Sequence, residues 1–290
     1  CNTTNRSGDT TDMTLKPRLW LAIALAFAAA CTTLTQQALA QQPAAAVRLA
    51  DPVSPAVIAA LAPSGKLRVG LYPGSPSSLI RGEGKQGDRG VSFELGRALA
   101  GALGVEFEPV VFQSNGELLA AAREKQVDFI FTNATPARTA FLDFADPLLM
   151  IEQSYLVTAK SPARSLDQMD RTGIRVGVSP GSTSQATLPG ILKNAQLVEV
   201  KNLQTAAQML NAGELDAFAS NKGILFDLSD KVPGSAVLVG AWGLEKIAIG
   251  LPKGRDQALA VIRQFSQAAK SSGLVTAAAQ RAGMRGFRTD

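Results

Sequence analysis

The segment VDFIFTNATPAR (127–138) points most directly to the fold of this chain. Residues 127–131 are β-branched, aromatic or apolar apart from one aspartate, and this pattern predicts a buried strand. A Thr-Pro pair then predicts a turn, which places Thr132, Asn133 and Arg138 at or just beyond the carboxyl end of that strand. Ligands of α/β proteins bind in the crevice outside the carboxyl ends of parallel strands. The segment therefore predicts a polar crevice at this place.

Similar strands and helices alternate along the chain from residue 66 onward. Short β-rich runs are separated by Ala- and Leu-rich amphipathic runs, the pattern of parallel strands joined by crossover helices. A first set has predicted strands at 67–71, 105–112 and 127–131, and helices at 92–103 and 115–125. A second set has predicted strands at 174–178, 197–200 and 215–219, and helices at 183–192 and 203–210. A strand at 246–251 and a helix at 256–271 are assigned back to the first set. The chain is thus predicted to be an α/β protein with two lobes.

The predicted division of the chain follows from these two sets. Residues 66–158 together with 238–290 form the first lobe, and residues 159–237 form the second. A predicted strand within residues 146–160 would serve as the hinge. Residues 41–65 are predicted to be a linker.

Residues 1–40 are predicted to hold some upstream residues and a signal peptide of the bacterial export type. Lys16 and Arg18 precede an apolar run (19–30), and a small-x-small cleavage site ends the segment. We therefore predict cleavage at that site and a periplasmic location. Two alternatives stay open: the apolar run is a buried helix or a retained membrane anchor, or a lipid on Cys31 anchors the chain.

Composition excludes several kinds of chemistry. The chain has no histidine, and its two cysteines, Cys1 and Cys31, both precede the predicted cleavage site. The usual zinc sites, Cys-His pairs and Ser-His-Asp triads are therefore excluded from the exported chain. The 29 basic and 24 acidic residues give a formal net charge of +5, without the Lys/Arg run that marks a nucleic-acid surface. We predict no metal, no cofactor and no nucleic-acid partner, and a monomer that binds a small organic anion.

Six motifs, taken in order, resemble the family-3 extracellular solute-binding proteins, the polar amino-acid receptors of bacterial ABC importers. They are LRVGLYP (67–73), ALAGALGV (98–105), VDFIFTNATPAR (127–138), FADP (144–147), VGVSPGSTS (176–184) and NAGELDAFASN (211–221). The resemblance covers residues 66–285. It implies the type II periplasmic binding protein fold, in which each of two lobes is a β-sheet flanked by helices and a hinge joins them. It also implies an ABC permease of the inner membrane as partner.

The resemblance implies a ligand-binding role for Arg138. In the family, the matching arginine holds the ligand carboxylate, which its planar fork of donors fits with two hydrogen bonds. Thr132 and Asn133 would face the same crevice. The chain is about two residues shorter here than the family pattern, so which of these two contacts the ligand is left open.

The turn at 181–184 would bind the same carboxylate from the other lobe. It precedes a predicted helix, so that backbone N–H groups and the hydroxyls of Ser182 and Thr183 form an anion site. Ordinary N-capping by one of these hydroxyls is the alternative, and both can hold together. Tyr72 lies where the resembled proteins have an aromatic lid over the ligand, although it could equally be a packing residue.

Asn221 departs from the family pattern. The family typically has an aspartate there, which pairs with the ligand ammonium, whereas an amide supplies no charge. This predicts that typical α-amino acids bind weakly and that a carboxylate, amide or other organic anion fits better. The alternative is that Asn221 caps the next helix and another acid, such as Glu94 or Glu245, provides the charge.

Two rival functions remain for the same fold. One is a periplasmic dehydratase acting on cyclohexadienyl acids, which needs a positioned acid. The available acids, none with a distinctive spacing, are Glu94, Asp143, Asp146, Glu152 and Glu245. We therefore predict a binding protein with no catalytic residue. The other rival is a sensor that reports ligand binding to a membrane kinase.

Overall fold

The computed structural model describes residues 47–49, 52–82 and 87–289. The predicted signal peptide and Cys31 lie outside these described residues. Within the described ranges, no helix is long and apolar enough to cross a membrane.

Helices and strands alternate along the described chain as the sequence predicted. The first part holds α1 (Pro55–Leu61), β1 (Lys66–Leu71), α2 (Val91–Leu103), β2 (Glu106–Val111), α3 (Asn115–Arg123), β3 (Ile130–Asn133), α4 (Pro136–Thr139) and β4 (Leu142–Phe144). A long strand, β5 (Leu149–Val157), then leads to a short 3-10 helix (Leu166–Gln168), β6 (Arg175–Val178), α5 (Thr183–Ile191), β7 (Gln196–Glu199), α6 (Leu203–Ala212), β8 (Ala217–Asn221), α7 (Lys222–Ser229) and β9 (Ala236–Val237). The chain returns through β10 (Gly243–Pro252), α8 (Asp256–Ser271), α9 (Leu274–Arg281) and β11 (Phe287–Arg288).

Strands β5 and β10 connect the two halves of the fold. Strands β1 and β2 are parallel, and a parallel bridge from Val69 to Phe129 links them to the start of β3. The larger sheet has the order β3-β10-β5-β8-β6-β7, in which β10 is antiparallel to both β3 and β5. Beyond β5, strand β6 is parallel to β7 and β8. The predicted α/β fold with helix-flanked sheets and a hinge strand is confirmed.

We call the part built on β1–β4 with α1–α4, α8 and α9 the first lobe, and the part built on β6–β9 with α5–α7 the second lobe. Their boundaries within the chain stay a prediction. The first lobe buries one large apolar cluster between its sheet and helices, including Leu67, Leu95 and Phe265. The second lobe buries apolar residues on both faces of its sheet, among them Val176 and Phe218. Each lobe therefore has a core of its own.

Helix α1 lies within residues 41–65, the segment predicted to be a linker. The Ser54 hydroxyl accepts from the Val57 N–H and caps this helix. Leu61 at its end is fully buried in the core of the first lobe. The linker prediction is therefore wrong for this part of the segment, because a seven-residue helix packs on the lobe instead of bridging to it.

The two lobes repeat one arginine–aspartate arrangement. In the first lobe, the backbone N–H and Nε of Arg68 both donate to Asp128 Oδ2, at 3.0 and 2.9 Å. In the second, the same two groups of Arg175 donate to Asp216 Oδ2, both at 2.9 Å. In each case, an arginine on the first strand of a lobe binds an aspartate just before a strand that leads to the cleft. In each lobe, this pair connects the first strand to the strand that leads to the cleft, at the end of the sheet that faces away from the cleft.

Candidate functional site

Residues from both lobes line one cavity in the cleft. Most of them lie at or just beyond the carboxyl ends of strands, among them β1, β2, β3, β6 and β8, where an α/β sheet places its ligand site. The structure brings together all the residues that the sequence predicted for the site, namely Tyr72, Thr132, Asn133, Arg138, Ser182, Thr183 and Asn221. Their contact with a ligand stays a prediction.

Arg138 lies in the single turn of α4 and is buried in the cleft. Its Nη1 donates to Thr132 Oγ1 at 2.7 Å and to the Asn133 carbonyl at 3.1 Å. Its Nη2 donates to the Gly181 carbonyl of the second lobe at 3.0 Å. Burial lowers the pKa of Arg138, opposed by the negative charge of Glu245, but a guanidinium still stays protonated. Thr132 and Asn133, between which the sequence could not choose, both position this cation.

The N-terminus of α5 faces Arg138 from the second lobe. Ser182 caps the helix by accepting from the Gln185 N–H at 3.0 Å, so the capping alternative holds. Thr183 Oγ1 accepts from Asn133 Nδ2 at 3.1 Å. The geometry of a helix leaves the N–H groups of its first turn without partners inside the helix. The turn thus presents donors and the positive end of the helix dipole to the cavity.

Glu245, on β10, also lines the cavity and is buried there. Its Oε2 accepts from Asn221 Nδ2 at 2.8 Å, and its Oε1 accepts from Gln153 Nε2 at 3.1 Å. Burial raises the pKa of Glu245, while the charge of Arg138 and hydrogen bonds from Asn221 and Thr183 act in the opposite direction. Sequence reasoning named Glu245 only as an alternative acid, because residues 221 and 245 are brought together by sheet pairing that no local motif marks.

Asn221 has the capping role that the alternative gave it. Its Oδ1 accepts from the Ile224 N–H at 3.1 Å at the start of α7. Since a carboxylate lies one hydrogen bond away, the premise that the site lacks a negative charge does not hold. The structure favours the alternative in which Glu245 provides that charge.

The other acids considered for catalysis do not line this cavity. Glu94 is held by Arg281, whose Nε donates to Oε1 at 2.9 Å. Glu152 pairs with Lys222 at 2.6 Å. Neither Asp143 nor Asp146 is among the lining residues. A catalytic acid in the cleft would therefore have to be Glu245.

Tyr72 packs between the lobes. It contacts the apolar cluster under α3 of the first lobe and the cluster around α6 of the second. Its backbone N–H donates to Ser78 Oγ at 2.9 Å. Burial raises the pKa of the Tyr72 hydroxyl, which is therefore neutral at physiological pH. Its position is compatible both with a lid over a ligand and with packing.

The lobes contact each other directly at the edge of the cleft. Asn115 Nδ2 donates to the Gly181 carbonyl at 3.3 Å, beside the bond from Arg138. Gly181 has φ +66°, and a Cβ on it would lie 3.2 Å from Gly116 Cα. A Cβ on Gly116 would lie 3.1 Å from the Pro180 carbonyl oxygen. The approach of the lobes therefore depends on two glycines that face each other.

A protein family matches most of this chain. The bacterial extracellular solute-binding proteins, family 3, match residues 67–283. The chain belongs to this family. The comparison confirms the resemblance drawn from the motifs, and with it an extracellular solute-binding protein.

The individual relatives share only a limited part of their sequence with this chain. The glutamine-binding protein of Geobacillus stearothermophilus is 29% identical over 119 residues, which span 41% of this chain and 45% of that protein. The match thus covers about half the length of this curated relative. An amino acid ABC transporter substrate-binding protein from Streptococcus pneumoniae, solved with L-arginine, has a TM-score of 0.69 at 23% identity, over 79% of this chain and 99% of that one. An ancestral amino acid-binding protein, described as a precursor of cyclohexadienyl dehydratase, has a TM-score of 0.67 at 21% identity, over 77% and 98%. At such identities, these structures establish the two-lobed type II fold alone.

The facing glycines give a test of lobe closure in this solute-binding protein. We expect Gly116→Val to weaken solute affinity about tenfold, because the added side chain keeps the lobes apart and reduces the fraction of binding-competent molecules. Gly101→Val on α2 is the matched control, since a Cβ there meets no atom within 4 Å. Calorimetric titration of both variants checks this, and equal affinities would show that the glycine contact does not limit closure.

Proposed function

We propose that this protein binds an α-amino acid in the periplasm and delivers it to an ABC permease. The supporting observation is one buried cation and one buried anion, Arg138 and Glu245, around the same cavity. Their hydrogen bonds go to neutral groups and not to each other. A zwitterion supplies the two complementary charges, and burial strengthens both attractions.

The ligand carboxylate binds at Arg138. This side chain is held at Nη1 by Thr132 and the Asn133 carbonyl, so its orientation is set before a ligand arrives. The first turn of α5, with Thr183, meets the carboxylate from the second lobe. Closure of the cleft thus brings both sets of donors to one anion.

The ligand ammonium binds at Glu245. The expectation that typical α-amino acids bind poorly depended on Asn221 having no charged neighbour. Glu245 removes that objection, because a buried ammonium beside a carboxylate is compensated. This proposal therefore replaces the small organic anion predicted from the sequence, for which typical α-amino acids were expected to be weak ligands, with an α-amino acid.

The location and partner follow from the predicted export signal and the family. Cleavage at the predicted site releases residues 41–290, which carry both lobes, into the periplasm. Closure about β5 and β10 then gives a permease one shape to recognise in the loaded form. No nucleic acid, metal or cofactor takes part, and the receptor acts as a monomer.

Thermal unfolding of the full chain tests this function. The probes are the twenty common L-amino acids, each compared with the carboxylic acid that lacks its α-amino group. At about 100-fold excess over Kd, a true ligand raises Tm by about 5–10 °C. We expect at least one amino acid to give this shift, and its deaminated counterpart, which is held by its carboxylate alone, to give a clearly smaller one. Equal shifts with both, or no shift with any amino acid, would contradict an amino-acid receptor.

A dehydratase is the second candidate, for one specific reason. Glu245 is a buried acid with a raised pKa in a cleft with an arginine, the environment of a general acid. Incubation with a cyclohexadienyl acid such as prephenate separates the two functions. Consumption of prephenate at a catalytic rate would show that the protein is a dehydratase. Unchanged prephenate would favour the receptor function.

A further inference from the structure

Glu245 is placed on the hinge and not on the face of either lobe. It lies on β10, opposite Ile151 of β5, and these two strands connect the lobes. Gln153, which donates to Glu245 Oε1, is on β5. In the sheet it pairs with Gly243 of β10 on one side and with Asn221 of β8 on the other. Three neighbouring strands therefore set the position of one carboxylate.

We propose that Glu245 is the specificity-determining residue for the ligand ammonium, and that Gln153 and Asn221 are the residues that position its carboxylate. This rests on the proposed amino-acid-binding function. The consequence is that the ligand ammonium is recognised at the hinge, whereas the ligand carboxylate is recognised between the lobes at Arg138.

The hydrogen bonds leave Glu245 suited to this role. Each carboxylate oxygen accepts one amide N–H, from Asn221 or Gln153, and the Thr183 hydroxyl also acts on the carboxylate. The two oxygens still have acceptor capacity for an ammonium. All three side chains are less than 10% exposed, so water contributes little to holding them. The orientation of the Asn221 amide is fixed as well, because its Oδ1 accepts from the Ile224 N–H.

Few other charges act on Glu245. Besides burial, the groups that affect its ionisation are Arg138, which lines the same cavity, and the amide and hydroxyl of Asn221 and Thr183. Lys222, next to Asn221 in sequence, pairs instead with Glu152. The neutral hydroxyl of Tyr72 also faces the cavity. A ligand ammonium would thus be the second cation, after Arg138, to act on the Glu245 carboxylate.

The first test removes the charge and keeps the shape. In Glu245→Gln, we expect affinity for the amino acid with the largest thermal shift to fall about 100-fold or more, as when one partner of a buried charge pair is lost. Affinity for its deaminated acid should be unchanged or higher, which also shows that the variant folds. Loss of both ligands equally would mean that Glu245 is only structural.

The second test moves the negative charge from residue 245 to residue 221, its hydrogen-bond partner. In Glu245→Gln/Asn221→Asp, an amide donor now stands on β10 and a carboxylate acceptor at residue 221, while an aspartate still caps α7. We expect the double variant to recover at least tenfold of the affinity lost in Glu245→Gln. No recovery, with the double variant still binding the deaminated acid, would overturn the assignment of the charge to this pair.

The third test concerns Gln153. Gln153→Met removes a donor to Glu245 Oε1, which favours the protonated carboxyl. Ligand affinity should then fall at acidic pH and recover as the pH is raised, because binding needs the ionised form. A loss that is the same at every pH would assign Gln153 a purely structural role.

These outcomes separate the inference from the function on which it rests. If wild-type protein binds no amino acid, the proposed function itself is wrong. If an amino acid binds, and Glu245→Gln binds it as tightly as wild type, the receptor stands and the ammonium is recognised elsewhere.

Discussion

Arg138→Lys should lower amino-acid affinity about 100-fold or more while leaving the protein folded. The guanidinium donates at the same time to Thr132, to the Asn133 carbonyl and across the cleft to Gly181. Lysine keeps the charge but has no planar fork, so it cannot hold these partners and a carboxylate together. The expected loss is about 3 kcal/mol, typical for an arginine at the centre of a buried interface.

Arg123→Lys is the matched control for this change. Arg123 is on α3 of the same lobe, and its guanidinium lies over the Phe141 ring at 4.8 Å from the centroid, outside the cavity that Arg138 shares with Glu245. Its replacement should leave affinity unchanged within about twofold. Calorimetric titration of both variants gives the affinities, and thermal unfolding without ligand confirms that each is folded. If Arg138→Lys binds amino acids as tightly as the control, the ligand carboxylate is bound by another group.

Arg138 and Gly116 address two different contributions to affinity. Arg138→Lys alters the contact with the ligand, and it also removes one hydrogen bond between the lobes. Gly116→Val alters only the approach of the lobes. A ligand with and without its carboxylate separates the effects, because the closure effect weakens every ligand by the same factor.

Much of the fold could be predicted because local signals agree with the tertiary structure. The predicted helix 256–271 coincides with α8, and the predicted helix 183–192 ends one residue beyond α5. Ser182 and its following residues supply both a cap and the first turn. Clear caps and amphipathic periodicity fix such elements without help from distant contacts. Short helix α1 has its Ser54 cap but only seven residues, so it needs its packing in the first lobe to be stable.

The candidate site was predictable only in part, for a topological reason. The carboxyl ends of β3 and β8 hold Thr132, Asn133 and Asn221, and they meet at the cleft from opposite lobes. Glu245 reaches the same cavity from β10, which inserts antiparallel between β3 and β5. Nothing near residue 245 in sequence specifies that insertion, because strand order depends on long-range pairing. The error about Asn221 followed from this, since the missing charge lay on a strand whose neighbours were unknown.

Asp128→Asn should reduce the free energy of unfolding by about 3–5 kcal/mol, the range for breaking a buried ion pair. Asp128 is fully buried and is bound by two arginines. Arg68 donates through its backbone N–H, Nε and Nη2, and Arg255 donates through Nη2 at 2.7 Å. Asparagine keeps the size but removes the charge and turns an amide donor toward guanidinium groups. Two cations would then be left close together without a counter-charge.

The second lobe supplies the control for this prediction. Asp216 makes the same three bonds with Arg175, but with one arginine, and the side chains of the pair are 18% and 37% exposed. Asp216→Asn should therefore cost only about 1–2 kcal/mol, because water can solvate the arginine that is left. Urea unfolding without ligand measures both. Equal losses would mean that Arg255 adds nothing to the first-lobe pair, whereas the expected difference would show that the second arginine makes the carboxylate of Asp128 indispensable to its lobe.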